Sequence, residues 1–421
     1  MAMGFQSVKA VLQGHEEHEG KAGSRIFFSL FMAFMSFMVN KIPNAPFGQQ
    51  SASRAGVRGR QLRHGFVTNS NIFLLDRCRL CTREKVPMKT SHLALAVLVA
   101  ALGTTGLQAQ PLVTIDTVFV GDAGNAAANS SNAPSWGYNY GYGSVGYDYA
   151  IGRTEVTISQ YTTFLNAVAA SDPYKLWNSN METDLNIAGI SRAGSSGSYT
   201  YSTIGSGNRP ITYVSWFDAA RFTNWLHNGA TVGADTETGA YTLNGATSGI
   251  ITKNVGAKWW IPSEDEWVKA AYYDPISETY SLHANQSDIM STNTIGAAGG
   301  ANYNDGDYAT TQSGSYSSSQ NYLTDVGAYA DTVSYYGTFD QAGNVWEWND
   351  AVSVSTRGLS GGAWDGDESD MWGSSRRFQT PTLGDPNVGF RVASVPEPST
   401  ALLMLIGGAV LLTRKRCRAT L

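Results

Sequence analysis

Three stretches of the chain repeat apolar residues at helical spacing behind a hydroxyl residue. The hydroxyl residue and the residue three positions later are Thr157 and Gln160, Ser215 and Asp218, and Ser263 and Glu266. Such a pair forms a capping box, in which the hydroxyl accepts from a backbone amide and the later side chain reaches back to the cap. Apolar side chains such as Tyr161, Phe164 and Leu165 then recur on one face. The pattern predicts three short amphipathic helices.

The remaining apolar stretches are shorter, and long polar insertions separate the helices. Leu112–Val120 and Tyr147–Arg153 contain β-branched and aromatic residues and predict short strands. The insertions Ser171–Asn208, His227–Lys258 and Asp274–Ser334 are rich in Gly, Ser, Asn and Thr and show no sustained helical period. Loops this long in a compact domain are functional or disordered. We therefore expect them to form much of the exposed surface.

The N-terminal part of the chain predicts export. Residues 1–87 have no sustained hydrophobic period and do not indicate a domain. The segment 88–109 contains the apolar run Leu93–Leu102 and ends in Leu107-Gln108-Ala109, which is the layout of a signal peptide cleaved after Ala109. The simplest account is that translation starts at Met88. The alternative is that the apolar run is a buried strand or helix.

The C-terminal segment 395–421 predicts membrane anchoring. Val395–Ser399 is followed by the apolar run Ala401–Leu412 and by the basic run Arg414–Arg418, an order typical of a stop-transfer anchor. The segment resembles the PEP-CTERM sorting tail. This resemblance implies processing by an exosortase and a place in the envelope or extracellular matrix of a Gram-negative-type bacterium. The alternative is a coincidental apolar C-terminus.

Charge and cysteine positions restrict the function of the body, residues 110–394. About 12 Lys and Arg stand there against about 28 Asp and Glu. An acidic body argues against nucleic acid as a partner, because phosphate binding needs clustered cations. It is compatible with bound cations. The three cysteines, Cys78, Cys81 and Cys417, all lie outside the body.

The body also contains several motifs that belong together. Tyr336–Ala393 includes YGTFDQAGNVWEW, LSGGAW and NVGFRVA, and the helix starts read EVTISQY, VSWFDA and IPSEDEW. These segments resemble the formylglycine-generating enzyme, or sulfatase-modifying factor, family. The resemblance implies an α+β fold over residues 110–394: a loop-rich variant of the C-type lectin fold with about three short helices and short antiparallel strands.

The family resemblance implies structural calcium. The first site would use the side chains of Asp340 and Glu347 with the backbone carbonyls of Gly343 and Val345. This donor set suits calcium, which takes six to eight oxygens from carboxylates and carbonyls. A second site would begin at Asn302 and Tyr303, with further ligands from Asp305 to Tyr308. The alternative is that Asp340 and Glu347 cap turns or pair with Arg376, Arg377 or Arg391.

The same resemblance places the family's copper-binding cysteine pair at Gly366 and Met371. Neither residue can form a thiolate, so we expect no copper and no formylglycine formation by this mechanism. Ala363 also replaces the family's hydroxyl residue. Iron-dependent relatives need a histidine-rich site, whereas this body has only His227 and His283. Both lie in polar insertions, and we expect exposed loop histidines.

Aromatic and charged residues remain around the missing cysteines. They are Trp364, Asp365, Asp367, Trp372, Arg376 and Arg377. Such a mixture on a loop is typical of a recognition surface, although the tryptophans could instead fill the core. The sequence thus favours an exported, non-catalytic module that binds a glycan, peptide or matrix ligand or has a structural role. The alternatives are a metal-dependent oxidoreductase acting on a peptide or thiol, and an accessory subunit that keeps the family's peptide groove.

Overall fold

The computed structural model describes residues 110–290 and 292–396, all within the unit Met88–Leu421. The segments predicted as an upstream extension (1–87) and a signal peptide (88–109), and most of the predicted sorting tail (395–421), lie outside the described residues. None of the helices in the described ranges is long and apolar enough to cross a membrane.

Four helices occur in the described ranges. They are α1 (Ile158–Val168), α2 (Asn180–Thr183), α3 (Trp216–His227) and α4 (Glu264–Tyr272). The three longer helices confirm the prediction, and each begins directly after its predicted hydroxyl cap. In α1, for example, the amide of Gln160 donates to Thr157 Oγ1 over 3.2 Å, and the Thr157 amide donates to Gln160 Oε1 over 2.9 Å. The four-residue α2, within the first insertion, was not predicted.

The strands are short and form two four-stranded sheets and two hairpins. They are β1 (Thr117–Val120), β2 (Tyr149–Gly152), β3 (Ile190–Ala193), β4 (Thr200–Thr203), β5 (Trp259–Trp260), β6 (Tyr273–Asp274), β7 (Thr279–Tyr280), β8 (Trp346–Ser353), β9 (Thr356–Ser360), β10 (Arg377–Gln379), β11 (Val388–Gly389) and β12 (Ala393–Ser394). The first sheet has the order β1-β2-β12-β5 and the second β10-β9-β8-β11, while β3-β4 and β6-β7 are the hairpins. All pairs are antiparallel except β8 with β11.

This architecture confirms the predicted α+β class. β1 and β2 lie within the two predicted strand segments. Because β12 inserts between β2 and β5, the end of the body returns to its beginning, and Ala393 pairs with Ile151 and Trp260. The two ends of the body are therefore joined in one sheet.

Large aromatic side chains fill the core between the helices and sheets. Phe222 of α3 packs on Phe164 of α1 with ring centroids 5.3 Å apart, and on Phe390 at 5.4 Å. Several buried indoles also have hydrogen-bond acceptors, such as Val214 O for Trp348 Nε1 at 2.9 Å, whereas Trp216 Nε1 and Trp364 Nε1 have none. A buried indole whose N–H has an acceptor adds apolar packing to the core without leaving its polar atom unpaired.

Two buried arginines hold the His227–Lys258 insertion. Arg221 of α3 is fully buried, pairs with Glu237 at 2.7 Å and donates to the carbonyl of Ala246. Arg357 of β9 pairs with Asp350 at 2.6 Å, and its Nη2 donates to the carbonyl of Ile251 in the insertion. Because Glu237, Ala246 and Ile251 belong to the His227–Lys258 insertion, these contacts hold parts of it against the core.

Candidate functional site

Three segments that stand apart in the sequence lie side by side in the fold. The amide of Gly343 donates to Gly361 O over 2.7 Å, that of Asn344 to Asn302 O over 2.7 Å, and that of Trp364 to Asn344 O over 3.0 Å. Gly343 has φ 79°, and a Cβ there would lie 2.9 Å from the carbonyl carbon of Asn302. Only glycine suits this close crossing. Both predicted calcium segments and the LSGGAW turn therefore share one backbone junction.

The side chain of Glu347 forms an ion pair and accepts a further hydrogen bond inside the protein. Arg391 Nε lies 2.5 Å from Glu347 Oε2, Arg391 Nη2 lies 2.6 Å from Oε1, and both side chains are fully buried. Trp267 Nε1 also donates to Oε2 over 2.8 Å. A bidentate guanidinium–carboxylate pair of this kind is strong and directional. For Glu347 the structure thus shows the pairing with Arg391 that the sequence left open as an alternative.

Two further carboxyl groups, those of the buried Glu155 and the partly exposed Asp340, lie near the same guanidinium. Burial raises the pKa of Asp340 to about 6, although the Gly327 amide and Arg391 act in the opposite direction. Burial and the charge of Asp340 raise the pKa of Glu155 well above its usual range. Glu155 Oε2 is buried without a hydrogen-bond partner.

This cluster carries surplus negative charge. Glu155, Asp340 and Glu347 have one buried cation, Arg391, among them. Unpaired buried charge is costly, so either a proton or a bound cation must neutralise the surplus. A calcium ion would neutralise this surplus through Asp340 and Glu155, since Glu347 is already engaged, and backbone carbonyls would have to supply the other ligands. Sequence reasoning missed Glu155, although it lies inside the EVTISQY motif.

A second group of oxygens surrounds Asn293. Its Nδ2 lies 3.2 Å from Tyr303 O, 3.0 Å from Asp305 Oδ1 and 2.5 Å from Asp307 O. An amide group has only two protons for these three acceptors. Carbonyl and carboxylate oxygens are the donors that calcium takes, and three of them lie together here, while Asn293 Oδ1 accepts from Gln312 Nε2 over 3.1 Å.

Asn302 does not join this oxygen group in the structure. Its Nδ2 donates instead to Tyr322 O and to Asn344 Oδ1, both at 3.0 Å. Asn293 was missed by sequence reasoning because it lies in a loop that no motif marks. The Asn-Asp-Gly-Asp run before Tyr308 was the available signal.

Gly366 and Met371, which the resemblance aligns with the family's cysteine pair, are surrounded by other groups. A Cβ on Gly366 would lie 2.5 Å from Asp370 Oδ2. Met371 is fully buried, and its carbonyl accepts from the Tyr272 hydroxyl over 3.1 Å. Burial raises the pKa of Asp370, with Asp367 adding to the effect. These residues supply carboxylate and thioether rather than the thiolates that hold copper(I), so copper does not fit here.

His283 lies beside this region, and the expectation that it is exposed is wrong. Its side chain is fully buried, and Nε2 lies 3.1 Å from Glu368 Oε1. Burial lowers its pKa, and Glu368 acts in the opposite direction. His227 is partly exposed and accepts from the Lys258 amide at 3.0 Å. Across residues 110–290 and 292–396, no three His, Cys, Asp or Glu side chains form a group able to hold a metal ion.

The six residues predicted to bind a ligand have different surroundings. Trp364 is 5% exposed and stacks on Tyr322, whereas Trp372 is partly exposed. Asp365 and Asp367 are both exposed, and Asp365 accepts from Asn387 Nδ2.

The two arginines of this set are engaged elsewhere. Arg376 pairs with Glu264 at 2.6 Å, and Arg377 lies over the Trp346 ring at 5.2 Å. The structure therefore brings Trp364, Asp365 and Asp367 together on one loop. Their role in binding stays a prediction.

A family profile described as the sulfatase-modifying factor enzyme 1-like domain matches residues 123–395. The chain belongs to this family. The sulfatase-modifying-factor domain thus spans nearly the whole predicted body, 110–394. A search of curated proteins found no match.

Three solved structures similar to this sulfatase-modifying-factor domain illustrate the range of its neighbours. CarF shares 20% identity over 68% of this chain and 100% of its own, with a TM-score of 0.41. Treponema denticola variable protein 1 shares 20% over 68% and 96%, with a TM-score of 0.39. PvdO from Pseudomonas aeruginosa shares 16% over 60% and 82%, with a TM-score of 0.31.

Proposed function

We propose that this chain is a non-catalytic member of the sulfatase-modifying-factor family that binds a ligand at the bacterial cell surface. Export would use the signal peptide at 88–109, and an exosortase would process the tail at 395–421. The ligand would be a glycan, a peptide or another component of the extracellular matrix. A purely structural role in that matrix is the related possibility.

One observation carries the non-catalytic part of the proposal. The family resemblance aligns the cysteine pair with Gly366 and Met371, and the space beside Gly366 is taken by the Asp370 carboxylate. Oxidising a substrate cysteine by the family's mechanism requires thiolates that bind copper. No cysteine occurs between Cys81 and Cys417, so no other residue of the body can supply one.

Structural calcium is part of the proposal. The buried surplus charge at Glu155 and Asp340 supports one ion, and the oxygen group around Asn293 supports a second. When bound, calcium would neutralise buried carboxylates and hold loops together. Its role would be to stabilise the fold that presents the recognition loops.

The proposal is tested by metal analysis of the purified protein together with its oxygen consumption in the presence of thiol peptides. We expect calcium near stoichiometric amounts, no copper or iron, and no oxygen consumption above the buffer rate. Stoichiometric copper or iron with thiol-dependent oxygen consumption would instead establish the alternative, a metal-dependent oxidoreductase.

A further inference from the structure

Four aromatic rings form a column beside the LSGGAW turn. Tyr322 stacks on Trp364 with centroids 5.0 Å apart and an interplanar angle of 3°. Tyr316 stacks on Tyr322 at 5.9 Å and 14°, and Tyr308 lies against Tyr322 at 4.4 Å. We call these residues, Tyr308, Tyr316, Tyr322 and Trp364, the aromatic column.

The column runs from the core to solvent. Trp364 and Tyr322 are buried at 5% and 1% exposure, whereas Tyr316 at the outer end is 58% exposed. The Tyr316 hydroxyl donates to Asn186 Oδ1 over 2.6 Å, which fixes the ring in place. A large ring that is rigidly held and still more than half exposed is a ready binding platform, because little conformational entropy remains to be lost.

Three aspartates stand near the aromatic column, and we call them its acidic rim: Asp184, Asp307 and Asp365. Asp365 follows Trp364 in sequence and acts on the pKa of Tyr308, which burial raises. Asp307 directly precedes Tyr308 and is exposed. On the side of Tyr316, Asp184 accepts from the Tyr213 hydroxyl over 2.7 Å, two residues from the Asn186 that holds the Tyr316 ring. An electron-rich face with carboxylates nearby attracts a positive charge.

Elsewhere in the described ranges, arginine side chains already lie over aromatic rings. Arg192 lies over Trp177 at 4.0 Å and over Tyr199 at 4.2 Å, and Arg357 lies over Trp216 at 4.0 Å. Within the part of the chain that the structure describes, no lysine or arginine is placed over a ring of the aromatic column. The column therefore has the acidic rim and the open face of a cation–π site without an internal cation.

We propose that the aromatic column binds an arginine or lysine side chain of a basic partner polypeptide. The cation lies against the exposed Tyr316 face, and the carboxylates of Asp184, Asp307 and Asp365 attract it to the rim. Charge complementarity selects this occupant, since the acidic body repels anionic partners. The inference rests on the proposed ligand-binding function and names the chemical class of its ligand.

The test is a calorimetric titration of the purified protein with a tetra-arginine peptide and with its tetra-citrulline counterpart. Citrulline keeps the shape of arginine without the charge, so only the arginine peptide should bind. Tyr316→Ala should raise the Kd by about two- to thirty-fold, the range expected from losing one cation–π contact. Tyr316→Phe keeps the ring but loses the hydroxyl that Asn186 holds, so its Kd should lie between those of the wild type and Tyr316→Ala. Tyr138→Ala is the matched control, because Tyr138 is also exposed, at 51%.

Two results would overturn the inference. Equal arginine-peptide affinity in the wild type and Tyr316→Ala would show attraction to the acidic surface in general. Binding of a neutral oligosaccharide that depends on Tyr316, with no arginine-peptide binding, would make the column a sugar platform. Either result leaves the non-catalytic proposal intact, because that proposal is judged separately by metal content and oxygen consumption.

Discussion

Replacing Asp340 by asparagine separates the two ways in which the buried acidic cluster can be neutralised. If calcium neutralises the cluster, the Asp340 carboxylate stabilises the calcium-bound protein and destabilises the metal-free protein. The asparagine side chain of Asp340→Asn would keep an oxygen that can accept from the Gly327 amide, which donates to Asp340 Oδ2 over 2.5 Å. The variant therefore changes the charge with little change in shape.

For the metal-free protein, the expected change in the free energy of unfolding follows from the pKa of Asp340. Burial raises that pKa from 3.8 to about 6. Because the folded pKa is raised, the stability that protonation contributes is complete below pH 3.8 and is lost as the pH rises through about 6. A difference of about two pKa units corresponds to about 3 kcal/mol. At pH 7.5 the metal-free Asp340→Asn variant should be more stable than the wild type by about this amount.

The assay is thermal unfolding at pH 7.5 in chelator and in excess calcium, for the wild type, Asp340→Asn and the exposed control Asp325→Asn. In chelator the Tm of Asp340→Asn should rise by several degrees, since about 1 kcal/mol corresponds to about 2–4 °C in a domain of this size class. In calcium at a hundredfold excess over Kd, the wild type should gain about 2.7 kcal/mol and the variant much less. Asp325→Asn should follow the wild type in both buffers.

A loss of stability in Asp340→Asn that is equal in chelator and in calcium would refute this reasoning. It would show that Asp340 acts only as a turn-capping acceptor for the Gly327 amide. A wild-type Tm that does not respond to calcium after complete metal removal would also remove the first calcium site from the proposal.

Three further predictions concern the buried charges and the chain start. Arg391→Met should lose about 3–5 kcal/mol in urea unfolding, because Glu347 would stay buried without its partner; a loss below about 1 kcal/mol would contradict the pairing. Burial raises the pKa of Asp218 to about 7, so wild-type stability should fall as the pH rises from 5 to 8. Asp218→Asn should flatten this slope, and an unchanged slope would argue against the raised pKa. N-terminal sequencing of the mature protein should begin at Gln110, and retention of residues before Met88 would contradict the signal-peptide hypothesis.

The helices could be predicted from the sequence because their signals are local. Each capping box places both partners within four residues, so α1, α3 and α4 are readable without knowledge of the fold. The small hairpin β3–β4 was not predicted, because its register depends on packing against α1 and not on its own alternation.

Buried polar partners were the part that the sequence did not reveal. His283 was expected to be exposed because its insertion is polar, yet Glu368, far along the chain, lies beside it. Glu155 stands in a recognised motif, but its closeness to Asp340 and Arg391 arises only when β2, β12 and the NVWEW segment meet. Charge clusters built from distant segments need the tertiary fold before their energetics can be judged.

The central claim, that the family's oxidase chemistry is absent, is tested most directly by mass spectrometry of a cysteine-containing sulfatase peptide after incubation with the purified protein, with and without added copper. Gly366 and Met371 cannot supply the two thiolates that hold copper(I), so the account predicts that the peptide keeps its cysteine under both conditions. Conversion of that cysteine to an aldehyde, seen as loss of its sulfur, would contradict the account.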